Sequence, residues 1–336
     1  MAASGGGHLD LLLSIEPALG GLPDAWITVE GDRARGLRES GKSVHALAPL
    51  DRNHLTLRNP LQALRLALKL RPALVITSGA GVVLPFVAFA RALGARVLFA
   101  ETMARVSSPS MSGRFLSRLA SKTFVQWPEL LDAYPHAVVC RPTLLEPLGL
   151  GRNGDGQGTF VAVGTHPEPF DRLLEMVDSA AGAGVLPEPI VAQTGPSGYE
   201  AQNFEKQPWI TRDRFGVGVT EARYVIGHAG SGLVGAALRA GRKPLVLARG
   251  GQDEHVDDHQ TQLAAKLEQL DLAVRLGDEI SRRDLASADA GLPDADPFGD
   301  AAELGHAVRE EVDRCMQTTR QGDANGRSRD HAQQRR

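Results

Sequence analysis

The chain has 336 residues, 42% of them hydrophobic, and a formal net charge of −3. That excludes global disorder and leaves room for two domains. Nucleic-acid binding is excluded, because no basic block is interleaved with aromatics; two cysteines in separate halves exclude a disulfide framework and fit a reducing cytoplasm. The charge is uneven: +5 over residues 1–150 and −8 over the rest. A basic half beside an acidic half points to an anionic ligand or surface for the first.

In chain order, the polar glycine run Ser4 to His8 comes where a signal peptide would need an apolar core, so none is expected. Ser43 to Ala48 reads as a strand, and Leu61 to Leu70 as a helix stopped by Pro72. Pro72 to Ala90 is free of charge, but Thr77, Ser78, Gly79, Gly81 and Pro85 divide it into strand, glycine turn and helix rather than a membrane span. Ala95 to Phe99 reads as a strand, Gly113 to Ala120 as a helix and Thr123 to Gln126 as a strand. Pro128 opens a helix, where its missing N–H costs little, and Ala137 to Cys140 closes the set.

Gly149 to Gly158 is glycine-rich and polar, a linker. Beyond it the alternation restarts. Strand Phe160 to Val163, helix Pro169 to Ala181 and strand Ile190 to Gln193 precede the strand Tyr224 to Ile226. A His-Ala-Gly-Ser-Gly turn follows, then a helix and a strand from Pro244 to Ala248. A helix over Asp257 to Leu267, a strand over Ala273 to Leu276 and a last helix over Ala301 to Gln317 complete the pattern. This alternation predicts an α/β chain of two doubly wound domains facing a central cleft, residues 1–150 and 151–320, with residues 321–336 a disordered tail.

The turn at His228 to Gly232 is the main candidate site. Small residues at a strand-to-helix turn let amides approach a ligand, and the helix N-terminus adds partial positive charge, which suits a diphosphate. Glu254, His255, Asp258, His259 and Gln260 offer carboxylates, imidazoles and an amide suited to a sugar. Arg249, at its strand end, is a candidate phosphate partner or a surface ion pair. Gly5-Gly6-Gly7-His8 lacks the dinucleotide spacing G-x-G-x-x-G. His8 suits a general base, with Glu101 as the rival. Asp294-Ala295-Asp296 lies in a proline-bounded loop, and no His/Cys spacing supports a metal, so no metal or other cofactor is expected. Arg65 with Lys69, and Arg114 with Arg118 and Lys122, form basic amphipathic faces that suit either an anionic membrane or plain solvation.

These motifs resemble family 28 glycosyltransferases of the GT-B fold. Gly164-Thr165-His166, the Pro169 to Leu173 run, Gln193-x-Gly195 and the HAGSG turn resemble the donor half; Glu254-His255-x-x-Asp258-His259-Gln260 resembles its ending in bacterial exopolysaccharide enzymes. The first half resembles their partner subunit, a relative of the acceptor-side subunit of the dolichol-pathway GlcNAc transferase. Its marks are Ser4 to Leu9, Arg71-Pro72, Ser78-Gly79-x-Gly81, Glu101 with Arg105, Pro109 to Arg114 and Val125 to Glu129. The chain therefore resembles a fusion of the two subunits in the order of MurG-type enzymes.

The resemblance implies an inverting UDP-sugar hexosyltransferase that needs no metal. Its acceptor would be a polyprenyl-diphosphate-linked sugar, used for exopolysaccharide or cell-envelope glycan at the inner face of the cytoplasmic membrane. Gly164, Thr165, His166, Gln193, His228, Gly230, Ser231, Gly232 and Arg249, with Glu254 to Gln260, would bind the donor; Gly6, Gly7, Arg105 and Arg114 would bind the acceptor. Two departures stand out. Only Met1-Ala2-Ala3 precede Ser4 where the family has an apolar first strand, so either the start site is misplaced or that strand is lost, and Ala236 stands where many relatives carry a ribose-binding Glu. A UDP-sugar epimerase and a non-catalytic sugar-nucleotide-binding protein remain the alternatives.

Overall fold

A computed structural model describes residues 1–49, 58–143, 156–164, 168–250 and 258–317. Thr165, His166, Glu254, His255, most of the expected linker and the expected tail lie outside them. The chain divides into two compact units. Unit 1 is Met1–Thr102, Pro109–Thr143 and the segment from Ala301; unit 2 is Met103–Ser108 and Leu144–Asp300.

Unit 1 holds seven parallel strands: β1 (Ala2–Ala3), β2 (Trp26–Val29), β3 (Val44–Leu47), β4 (Leu74–Gly79), β5 (Arg96–Ala100), β6 (Lys122–Val125) and β7 (Val138–Val139). Their order is β3-β2-β1-β4-β5-β6-β7. Unit 2 holds six: β8 (Thr159–Ala162), β9 (Ile190–Gln193), β10 (Glu205–Gln207), β11 (Tyr224–His228), β12 (Leu245–Leu247) and β13 (Val274–Arg275), ordered β10-β9-β8-β11-β12-β13. Each sheet thus begins 3-2-1-4-5-6, the doubly wound order. Central strands are covered on both faces, which is why Val97-Leu98-Phe99 and Val225-Ile226 are continuous apolar runs.

The first strand is present after all. Ala2 pairs with Ile27 on one side and Thr77 on the other, and the Ala2 carbonyl accepts a 2.7 Å hydrogen bond from Thr77 Oγ1. Two alanines suffice because the neighbours on both sides supply the ladder.

The helices are α1 (Gly7–Ile15), α2 (Asp32–Glu39), α3 (Arg58–Leu70), α4 (Leu84–Ala92) and α5 (Met111–Leu119) in unit 1. Unit 2 has α6 (Asp171–Gly182), α7 (Arg212–Glu221), α8 (Ser231–Arg239), α9 (His259–Gln269) and α10 (Arg282–Asp289). A last helix, α11, runs over 304–317. Among the described residues no helix is long and apolar enough to cross a membrane.

The expected second domain over 151–320 needs correction at its end, because α11 belongs to unit 1. Leu304, Val308 and Val312 are buried with Leu9, Leu12, Ile15 and Leu19, and Arg309 Nη1 donates to the Leu19 carbonyl at 2.8 Å. Burying three aliphatic side chains stabilises this return by roughly 5 kcal/mol. A second exchange goes the other way: Met103–Ser108, reached directly from β5, belongs to unit 2.

Candidate functional site

In unit 2 the strand order reverses between β8 and β11, so the loops leaving those strands diverge at their carboxyl ends and open a ligand position. Of the predicted donor residues, Gly164, His228, Gly230, Ser231 and Gly232 lie at these two strand ends. Gly164 follows β8 with φ +87°, a conformation that favours glycine. A Cβ on Gly164 would stand 2.6 Å from the His228 ring, and one on Gly230 would stand 2.1 Å from it. The two glycines therefore exist to admit His228, whose Nδ1 lies 3.4 Å from the Ala162 carbonyl. His228 holds the β8 and β11 loops at a fixed spacing.

Beyond it, Gly230 is the N-cap of α8 and brings no side-chain cap hydrogen bond. The first turn contains no acid, and a Cβ on Gly232 would meet nothing within 4 Å. Amides at a helix start have no intrahelical acceptor and carry the positive end of the dipole. Ser231 and Gly232 thus stand at an open helix start, whose chemistry suits an anion.

Two predicted donor contacts take other roles. Arg249 is fully buried rather than available to a phosphate or a surface ion pair. Its guanidinium lies 4.6 Å from the Phe170 ring and donates to the carbonyls of Val163 at 3.0 Å, and of Glu168 and Pro169 at 3.1 Å each. It fixes the loop after β8. Gln193 is likewise buried, and its amide nitrogen donates to the carbonyls of Gly164 at 3.1 Å and Pro208 at 3.2 Å while its oxygen accepts from Gly164 N. Gln260 Oε1 accepts from Arg249 N at 3.1 Å, so the buried start of α9 is tied to the end of β12. Asp258 is exposed at the N-cap of α9 and His259 is half-buried beside it.

Unit 1 reverses between β1 and β4, and a histidine ties the loops there too. His8, in the first turn of α1, places Nδ1 2.9 Å from the Ser78 carbonyl, and Ser78 Oγ donates to the His8 carbonyl at 2.8 Å. Against a carbonyl Nδ1 must carry the proton, so in the neutral ring Nε2 carries the lone pair, the state a general base needs. Gly6 caps α1 at φ +70° without a side-chain bond, and a Cβ on Gly5 or Gly6 would meet nothing within 4 Å. Gly7 is the first residue of α1.

Glu101, the rival base, is corrected by its surroundings. It is fully buried, and Oε2 accepts from Ser110 N at 3.1 Å, Ser110 Oγ at 2.9 Å and Tyr134 Oη at 2.9 Å, while Oε1 accepts from Thr102 N at 3.0 Å. Such a carboxylate organises the start of α5, with three donors on Oε2 and one on Oε1. A Cβ on Gly113 would stand 2.5 Å from Oε2. The buried Cys140 thiol is pushed up to about 12 by desolvation, which removes it as a nucleophile.

Arg105 and Arg114 separate. Arg114 is exposed on α5 in unit 1, whereas Arg105 lies on the Met103–Ser108 segment of unit 2, half-buried. That segment is pinned by Gln262, a residue the sequence reading missed: its Oε1 accepts from Ser107 N at 3.3 Å and Ser107 Oγ at 3.1 Å. No local pattern marks an amide whose partners lie about 150 positions away.

One surface of unit 1 is distinctive. Between Arg58 and Lys122 the only acid is the buried Glu101. On that stretch α4 packs against both α3 and α5. The exposed apolar residues there are Leu61 and Leu68 on α3, Leu93 after α4, and Met111 and Phe115 on α5, Met111 at 86% exposure.

The family model described as oligosaccharide biosynthesis protein Alg14 like matches residues 42–141. The Mus musculus UDP-N-acetylglucosamine transferase subunit ALG14 is 34% identical over 79 residues. That span is 22% of this chain and 36% of the mouse protein, so this chain spans little more than a third of its curated relatives. Acinetobacter baumannii MurG matches over 94% of this chain and 99% of its own, with a TM-score of 0.62 and 19% identity. The UDP-GlcNAc 2-epimerase of Methanocaldococcus jannaschii covers 93% and 98%, with a TM-score of 0.61 and 12% identity. The chain has the two-domain α/β GT-B fold, and residues 42–141 are related to the ALG14 subunit.

Proposed function

We propose that the protein is a UDP-sugar-dependent glycosyltransferase acting on a lipid-linked sugar. The observation that carries this reading is the entrance of α8: an uncapped helix start with no acid and open space over Gly232, at the point where a 3-2-1-4-5-6 sheet reverses. The relation of unit 1 to ALG14, a subunit of a UDP-N-acetylglucosamine transferase, supports the substrate class. The Glu254 to Gln260 segment, similar to exopolysaccharide enzymes, supports an exopolysaccharide or cell-envelope glycan as the product.

In this reading unit 2 holds the donor and unit 1 the acceptor. His8 Nε2 takes the proton of the acceptor hydroxyl, whose oxygen attacks the anomeric carbon with inversion. The bond to the nucleotide breaks, and the charge that develops on the leaving diphosphate falls on the amides of Ser231 and Gly232. Each well-placed donor of this kind is worth about 3 kcal/mol, and the scheme requires no metal. The acid-free surface of α3, α4 and α5 suits an anionic membrane, its arginines meeting headgroups and its exposed apolar side chains entering the interface.

The test is a thermal-shift screen with UDP-glucose, UDP-galactose, UDP-GlcNAc and UDP-glucuronate, followed by transfer assays of Ser231→Pro and His259→Ala with the sugar that binds. Ligand bound to the folded state raises Tm. Both variants are expected to lose transfer. Wild-type turnover in both removes the site, and conversion of the UDP-sugar without any lipid acceptor replaces the reading with an epimerase.

A further inference from the structure

We propose that Trp209 is the face on which the donor's nucleobase stacks, and that the glycine floor between it and the α8 start carries the ribose. The proposal rests on unit 2 being the nucleotide-binding unit, and it involves residues of that unit alone.

Strand register places Trp209. Gln207, Gln193, Ala162 and Gly227 are partners in one row across β10, β9, β8 and β11. Two residues further along each strand stand Trp209, Gly195, Gly164 and Ala229. This second row therefore runs from an indole at one end to the residue before Gly230, the α8 N-cap, at the other. Neighbouring strands lie about 4.8 Å apart, so its ends are roughly 14 Å apart. That is close to the span of a base, a ribose and a diphosphate laid end to end. The two positions between are glycines, at φ +59° for Gly195 and +87° for Gly164, and neither brings a side chain to fill the space above.

Hydrogen bonds tie the row together. The Pro208 carbonyl accepts from Gly195 N at 3.0 Å and from Gln193 Nε2 at 3.2 Å, and the same Nε2 donates to the Gly164 carbonyl at 3.1 Å. One buried amide thus holds the backbone next to Trp209 against the loop that admits His228. On the other side Ile210 packs on the cluster of Phe160 and Val225, and the Thr211 hydroxyl caps α7 by accepting from Arg214 N at 3.3 Å. Between these anchors the indole stays in water. Trp26 and Trp127 are both buried at 1% exposure, whereas Trp209 is 59% exposed. Among the described residues of unit 2 the other exposed large hydrophobic is Val217. Amides at a helix start recognise the phosphates and leave the base without a contact. A flat aromatic face supplies one, because every base has a π-face to lay on it.

The experiment measures UDP binding to the full chain by calorimetry, for wild type, Trp209→Ala and Trp209→Phe, beside tryptophan fluorescence during the titration. Trp209→Ala is expected to weaken UDP by about ten-fold, the loss of one base–aromatic stack, and Trp209→Phe to stay within about three-fold of wild type, since a flat ring remains. UDP is expected to quench the emission of wild type but not of Trp209→Phe, in which Trp26 and Trp127 are both buried. UDP affinity unchanged in Trp209→Ala, Trp209→Phe as weak as Trp209→Ala, or quenching that persists in Trp209→Phe overturns the proposal while leaving the nucleotide reading in place. Failure of wild type to bind UDP overturns both.

Discussion

Units 1 and 2 place opposite charges at the same topological position. Glu101 follows β5, the fifth strand of unit 1; Arg249 follows β12, the fifth strand of unit 2. Both are fully buried, and both spend their hydrogen bonds on neighbouring loops: Glu101 on the start of α5, Arg249 on the loop after β8. The fold needs an ionic anchor at this strand end, and either sign serves if its partners are dipoles of the matching sense. A buried charge is tolerated only when so satisfied. The difference teaches that a charged residue at the carboxyl end of a strand, even beside a ligand position, is not thereby a ligand contact.

The fourth strands differ in a second way. In unit 1 the turn after β4 is occupied by the protein itself: Ala80 N donates to Ser112 Oγ at 3.2 Å. In unit 2 the matching turn after β11 leaves α8 open over Gly232. Unit 1 keeps its open helix start at α1 instead. Two halves with one strand order thus present their amides from different strands, which fits different ligands for the two.

The largest effects break the anchors. Glu101→Ala and Arg249→Ala should each lower stability by about 3 kcal/mol or more, because several buried partners lose their acceptor or donor; urea unfolding monitored by circular dichroism checks this. Equal stability of Glu101→Ala with lost turnover would return Glu101 to the role of base. Next, His8→Gln should reduce kcat by about 100-fold with UDP affinity unchanged, measured by transfer kinetics beside calorimetry. Gly113→Ala should cost about 2 kcal/mol, since its Cβ would stand 2.3 Å from Tyr134 Oη, whereas Gly232→Ala should be neutral or slightly stabilising. Gly232→Asp should move stability and binding in opposite directions. An acid at a helix start should raise stability by about 0.5 kcal/mol yet weaken UDP by roughly ten-fold through repulsion. A parallel Gly5→Asp should leave UDP binding untouched, which separates the two open helix starts.

Much of the architecture was legible from residues. Continuous apolar runs such as Val97 to Phe99 and the glycines around Ser231 mark strands and turn by local chemistry. Among the missed elements, β2 (Trp26–Val29) and α1 (Gly7–Ile15) do carry apolar runs, whereas β1, β10 and α7 lack such signals. β1 is two alanines, made a strand only by β2 and β4 on its flanks. β10 is Glu205–Gln207, a polar edge strand without alternation. α7 contains Gly216 and Gly218, poor helix formers, and Gly218 is there because a Cβ would stand 2.6 Å from the Phe160 ring. At the site, the helix start at Ser231 was readable, but the burial of Arg249, Glu101 and Gln193 was not. Each is decided by partners brought from up to 86 positions away.

The return of α11 to unit 1 bears on how the protein comes into being. During vectorial synthesis unit 1 emerges first, yet the face formed by Leu9, Leu12, Ile15 and Leu19 has no cover until Leu304, Val308 and Val312 leave the ribosome. Its final closure therefore waits until the whole of unit 2 has been made, and a chain cut after residue 300 should display a sticky apolar face to chaperones.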